Sequence, residues 1–118
     1  MSFTPSGALL DGCVLAVLSR GDAYGYMLTQ SLQAVTPISE STLYPVLRRL
    51  QKDAYLETYD SPYAGRNRRY YKITDDGKHK LTHISEEWVQ HKQMIDSLLF
   101  PSTEGEPEDE TEGEPQDE

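Results

Sequence analysis

The chain has 118 residues and a formal net charge of −9, enough for one small domain and an extra helix but too short for two independent cores. Residues 1–103 hold 11 basic and 11 acidic side chains, so the net charge resides in residues 104–118, which carry 9 acidic groups and no basic one. One cysteine, Cys13, excludes an internal disulfide framework; no run approaches the roughly 18 apolar residues of a membrane span, and the N-terminus lacks a signal-peptide pattern, so a cytoplasmic protein without membrane contact is expected.

In "SGALLDGCVLAVLSRGD", Leu9, Leu10, Cys13, Val14, Val17 and Leu18 recur at helical spacing until Gly21-Asp22 breaks the pattern, which predicts a first, largely buried helix. Tyr24 to Val35 repeats the spacing with Met27, Leu28, Leu32 and Val35 and predicts a short second helix, closed before Pro37. "SESTLYPVLRRLQKD" supplies Ser39, Ser41 or Thr42 as N-cap and Leu43, Val46, Leu47 and Leu50 as one apolar stripe of a third helix. Pro45 is tolerable there if the helix begins within a few residues of it, where its missing N–H has no intrahelical partner.

"AYLETYD" and "RRYYKIT" are rich in Tyr and β-branched residues, and the intervening "SPYAGRN" predicts a hairpin with a longish tip. Thr74, followed by Asp75 and Asp76, can cap a fourth helix that runs to about Phe100. Along it Leu81, Ile84, Trp88, His91, Ile95 and Leu98 alternate at spacings of three and four, the seam of a packed helix pair. The seam folds back onto the first helix, pairs with a second copy, or does both; the added width from Val89, Met94 and Leu99 favours both, in a dimer. The remaining "PSTEGEPEDETEGEPQDE" is Glu/Pro/Gly-rich and reads as a disordered tail.

Three helices followed by a hairpin give a mainly α fold, a winged helix-turn-helix (1–74) with a long C-terminal dimerisation helix (75–100) and an acidic tail (101–118). In such a fold the third helix enters the major groove of double-stranded DNA. At about 100° per residue, its core stripe leaves Ser41, Pro45, Arg48 and Lys52 opposite, with Thr42, Tyr44 and Arg49 at the flanks. Arg48 is the best base reader, since a guanidinium offers a bidentate fork to guanine. Arg66, Arg68 and Arg69 of "GRNRRYYKIT" suit phosphates, because a loop tip gives charge without fixed geometry. Arg68 and Arg69 point to opposite faces if both lie in the strand, which leaves a structural role open for one of them.

The blocks "LLDGCVLAVLSRGDAYGYMLTQSL", "ESTLYPVLRRLQKDAYLE" and "GRNRRYYKITDDGKHKL", in that order, resemble the PadR family of transcriptional regulators over roughly residues 7–100. The chain is similar to the short subgroup, which has one C-terminal helix. The resemblance implies a homodimer, swapped through the last helix, that binds an inverted-repeat operator and usually represses. It places Tyr24, Ser41, Thr42, Tyr44, Pro45 and Arg48 near DNA, and Gly65, Arg66, Arg68 and Arg69 in the wing. Trp88 matches a tryptophan that stacks on flat aromatic ligands in some drug-sensing members; a plain core aromatic is the other reading of this position. Ala54 stands where the family commonly has Gly, which implies a turn without positive φ.

The remaining candidates are weaker. His79 and His83 have the spacing of two metal ligands but no evident third, so no metal is expected, and no cofactor either. His91 at a seam position could loosen a dimer on protonation. Cys13 lies in an apolar run, no serine has a His and carboxylate set, and no glycine loop could cradle phosphate, so the chain is not expected to be an enzyme. The tail's carboxylates could compete with DNA for the wing arginines. The alternative to a DNA reader is a winged-helix adaptor that binds proteins without reading sequence.

Overall fold

The structure, a computed structural model, describes residues 7–101. Its elements run α1 (Gly7–Ser19), β1 (Ala23–Tyr24), α2 (Gly25–Gln33), α3 (Glu40–Lys52), β2 (Leu56–Tyr63), β3 (Arg66–Ile73) and α4 (Asp75–Leu99). This is the winged-helix arrangement, with a long C-terminal helix. The chain divides into two compact units, the boundary falling inside α4 between Ser85 and Glu86. Among the described residues no helix is long and apolar enough to cross a membrane.

In the first unit, periodicity has done what it predicts. Leu10, Val14 and Leu18 of α1, Leu28 and Leu32 of α2, and Leu43, Val46, Leu47 and Leu50 of α3 are buried together with Leu56, Ile73 and Ile84. Leu15, outside the expected stripe, is equally buried, because α1 is covered on more than one side. Each fully buried side chain of this size contributes about 1.5–3 kcal/mol relative to exposure. The second helix is shorter than expected: it ends at Gln33, and Val35 beyond it is exposed.

Tyr24 belongs to a strand, not to a helix. β1 pairs antiparallel with β3 through Ala23↔Tyr71 and Tyr24↔Tyr70, giving a three-stranded sheet in the order β1-β3-β2. The hairpin also departs from expectation. β2 and β3 pair from Leu56↔Ile73 up to Tyr63↔Arg66, so the longish tip contracts to Ala64-Gly65. Both turn residues have positive φ, 51° and 79°, the signature of a type I′ hairpin turn. Pro62, which suggested a loop, lies in an edge strand, where a missing N–H is tolerated.

Ser39 is the N-cap of α3, its hydroxyl accepting from the Thr42 N–H at 3.2 Å. Pro45 therefore lies in the second turn, not in the free first turn, and cannot donate to the Ser41 carbonyl. At the other end, Tyr55 N–H donates to Leu50 C=O at 2.9 Å and Ala54 N–H to Gln51 C=O at 3.1 Å, a Schellman motif. The expectation for Ala54 is overturned: its φ is +66°, the left-handed conformation that a closing residue of this motif must adopt, and Ala is accepted where Gly is easier.

Thr74 caps α4 as expected, accepting from Gly77 N–H at 3.0 Å and donating to the Ala54 carbonyl at 2.7 Å. Ile84 packs against Gly12 of α1, where an added Cβ would lie 2.6 Å from the Ile84 Cγ2, and Leu81 leans on the same core. These two seam positions are thus occupied within their own chain. In the second unit, Trp88, Val89, Met94, Ile95, Leu98, Leu99 and Phe100 are all exposed. Apart from Pro101, the expected acidic tail lies outside the described residues.

Candidate nucleic-acid interface

The cap sets the start of α3, and the start sets which side chains face outward. With Leu43, Val46, Leu47 and Leu50 turned to the core, Ser41, Thr42, Pro45, Arg48 and Lys52 are exposed on the other side. The hydroxyl groups at the helix start form a small network, Ser39 lying 2.9 Å from Ser41 and 3.1 Å from Thr42. These hydroxyls adjoin the helix's unpaired N–H groups, a combination suited to anionic oxygens.

Two flanking residues are held by other parts of the chain. Tyr44 is half-buried, and its hydroxyl lies against α2 where a Cβ on Gly25 would come within 2.7 Å. A glycine at the start of α2 is what admits this ring. Arg49 donates from both terminal nitrogens to the two carboxylate oxygens of Asp11, at 2.8 and 2.7 Å. This bond, ahead of the opposing cost of desolvation, raises the Arg49 pKa. Asp11 is a charged residue set in the buried face of α1, and its need for a partner was the sequence signal for this pair.

The wing arginines separate by strand alternation. Arg69 is exposed and lies 3.8 Å from Asp60, directly across the ladder. Arg68 points to the other face, where its guanidinium lies 3.6 Å from the centre of the Tyr63 ring and 4.1 Å from that of Tyr24. Tyr70 adjoins this group edge-on to Tyr24 and stacked on Tyr59, whose hydroxyl donates to Asp22 at 2.7 Å. The arginines expected at a loop tip are therefore strand residues with fixed directions.

Tyr71 links helix and wing electrostatically. Burial, then the neighbouring Tyr44, raises its phenol pKa, while Arg69 and Arg48 both oppose the rise. Charges from α3 and from β3 thus both act on the Tyr71 phenol. Among the described residues no ion pair engages Arg48, Lys52 or Arg66, in contrast to Arg49 and Arg69. Nor do the described residues gather three or more His, Cys, Asp or Glu side chains as a metal site.

An exposed polar helix face, a strand-borne basic wing and a cap that fixes their register define a winged-helix DNA-binding module. The Transcriptional regulator PadR-like family model matches residues 14–83, more than half of the chain, and the chain belongs to that family. An uncharacterised protein of Lysinibacillus sphaericus is 37% identical over 95 residues, covering 76% of this chain and 87% of that protein. Among solved structures, smu.1704 from Streptococcus mutans matches with a TM-score of 0.79 at 37% identity, over 90% of this chain and all of that one. A PadR-like transcriptional regulator from Bacillus cereus matches with a TM-score of 0.70 at 34% identity, over 78% and 92%.

Proposed function

We propose that this PadR-like regulator acts as a homodimeric repressor on an inverted-repeat operator. The observation that carries the proposal is the division of its arginines: Arg48 projects from an exposed face of α3 without an ionic partner among the described residues, while its neighbour Arg49 is committed to Asp11. Arg48 reads a base edge in the major groove, Ser41 and Thr42 meet phosphate near the start of α3, and Arg66 and Arg69 contact backbone beside it. Lys52 adds sequence-independent charge.

A second copy of the chain covers Trp88, Ile95 and Leu98, and the two-fold symmetry of such a pair demands two half-sites. A flat aromatic effector, stacked on Trp88, would release DNA only by binding more tightly to an arrangement in which the two recognition helices no longer match the half-site spacing.

Selection of the purified protein on random duplex DNA, followed by titration at several salt concentrations, tests the reading. Enrichment of an inverted repeat with half-sites about one helical turn apart is expected. Arg48→Ala should cost about 1–3 kcal/mol on that site and relax the preference at one base pair. Weak, salt-sensitive binding with no enriched sequence would favour a protein-binding adaptor instead.

A further inference from the structure

We infer that Arg68 is a positioning residue: its guanidinium, held between the rings of Tyr63 and Tyr24, fixes the wing to the start of α2 and so sets where Arg66 and Arg69 fall on DNA. The inference deepens the DNA-reading proposal and rests on it for its consequence, though the clamp itself can be measured without DNA.

The geometry joins the two ends of the module. Tyr63 is the last residue of β2, next to the turn, and Tyr24 is the residue immediately before α2. Arg68 touches both, at 3.6 and 4.1 Å from the ring centres. From Tyr24 the contacts continue edge-on to Tyr70 at 5.7 Å and by stacking to Tyr59 at 5.5 Å, and Tyr59 donates to Asp22 before β1. All three strands therefore contribute to one continuous cluster on the sheet face away from Leu56 and Ile73.

Without it the outer wing has little to hold it. Pro62, Tyr63, Ala64, Gly65, Arg66 and Asn67 are all exposed, and two-stranded ribbons are marginal on their own. A planar guanidinium can stack on a ring at each face, which an ammonium cannot, and it is weakly hydrated enough to accept half-burial. Arg68 is half-buried, whereas Arg66 and Arg69 are exposed. The planar faces of Arg68 serve the fold; the exposed pair is left to meet phosphate.

The test uses the full-length protein and the variants Arg68→Ala, Arg68→Lys, Tyr63→Leu and Arg66→Ala. Amide hydrogen exchange of residues 61–68 in free protein should accelerate by roughly five- to thirtyfold in Arg68→Ala, the range given by two cation–π contacts. Tyr63→Leu removes one of the two contacts and should accelerate exchange by roughly two- to fivefold, Tyr63→Leu combined with Arg68→Ala should add little to Arg68→Ala alone, and Arg66→Ala should leave exchange unchanged. Arg68→Lys, which keeps the charge, should stay closer to Arg68→Ala than to the parent.

On the selected operator, Arg66→Ala should lower the salt slope by about 0.9 for each phosphate that it leaves without a neutralising charge. Arg68→Ala should preserve the slope while reducing the ratio of specific to random binding. Unchanged exchange in Arg68→Ala, or a slope reduced as in Arg66→Ala and restored by Arg68→Lys, would make Arg68 a phosphate ligand and overturn the inference. If the parent protein selects no sequence, the DNA-reading proposal fails, and the exchange measurements still decide whether the clamp exists.

Discussion

Asp11 and Arg49, 38 positions apart in sequence, form a bidentate ion pair that ties α1 to α3. Its two ends are unequal: the Asp11 side chain is 11% exposed and that of Arg49 47%. Removing Arg49 strands a nearly buried carboxylate, whereas removing Asp11 leaves a guanidinium that water can reach. Arg49→Ala should therefore cost about 2–3 kcal/mol and Asp11→Ala about 1–1.5 kcal/mol. Urea unfolding at one fixed protein concentration measures both, and equal losses would contradict the asymmetry.

Ala54 carries the left-handed residue of the Schellman motif that closes α3, with φ +66°. That conformation costs an L-residue about 1–2 kcal/mol, while Gly in its place loses about 0.4–1 kcal/mol through the unfolded chain. Ala54→Gly should thus stabilise by about 0.5–1 kcal/mol, the difference between these two effects. Thermal unfolding should shift upward by a few degrees, about 2–8 °C for a domain of this size. A lower midpoint would show that the Ala54 methyl makes contacts worth more than the strain.

The first three helices were legible because their periodicity and their burial are the same fact. Leu43, Val46, Leu47 and Leu50 mark one side of α3 in sequence and line the core in space. β1 was not legible, since Ala23 and Tyr24 are too short a run to show alternation and form a strand only because β3 offers an edge. Tyr44 and Arg49 are placed by features elsewhere in the chain, a missing Cβ at Gly25 and a carboxylate at Asp11. The exposed positions of α3 could be read from one helix; the contacts of Tyr44 and Arg49 required the tertiary partner.

Tyr59 offers a pH-dependent signature of the sheet's attachment to the α1–α2 turn. Its hydroxyl donates to Asp22, and this bond is the largest cause that raises its phenol pKa, ahead of burial. A folded-state pKa above the unfolded value means that the contribution to stability is fully present below the ordinary phenol range. It disappears as pH rises through the elevated pKa. Ultraviolet titration should show a late-ionising tyrosine that is absent in Tyr59→Phe and shifted down in Asp22→Asn. Persistence of that ionisation in Tyr59→Phe beyond the one due to Tyr71, which is also raised, would refute the assignment.

Trp88 is the only tryptophan in the chain, and in a single copy it is 42% exposed, on a segment where Ile95 and Leu98 are exposed as well. Pairing of two copies through this face should cover the indole and shift its emission to shorter wavelength. Dilution should reverse the shift, with the same midpoint as dissociation followed by sedimentation. Leu98→Asp withdraws one apolar anchor from each copy, about 1.5–3 kcal/mol apiece, and places two like charges on the covered face. Dissociation should then occur at concentrations at least about a hundredfold higher, the equivalent of roughly 2.7 kcal/mol. A Leu98→Asp protein that sediments as a pair at the same concentrations, with unshifted Trp88 emission, would exclude this face as the interface.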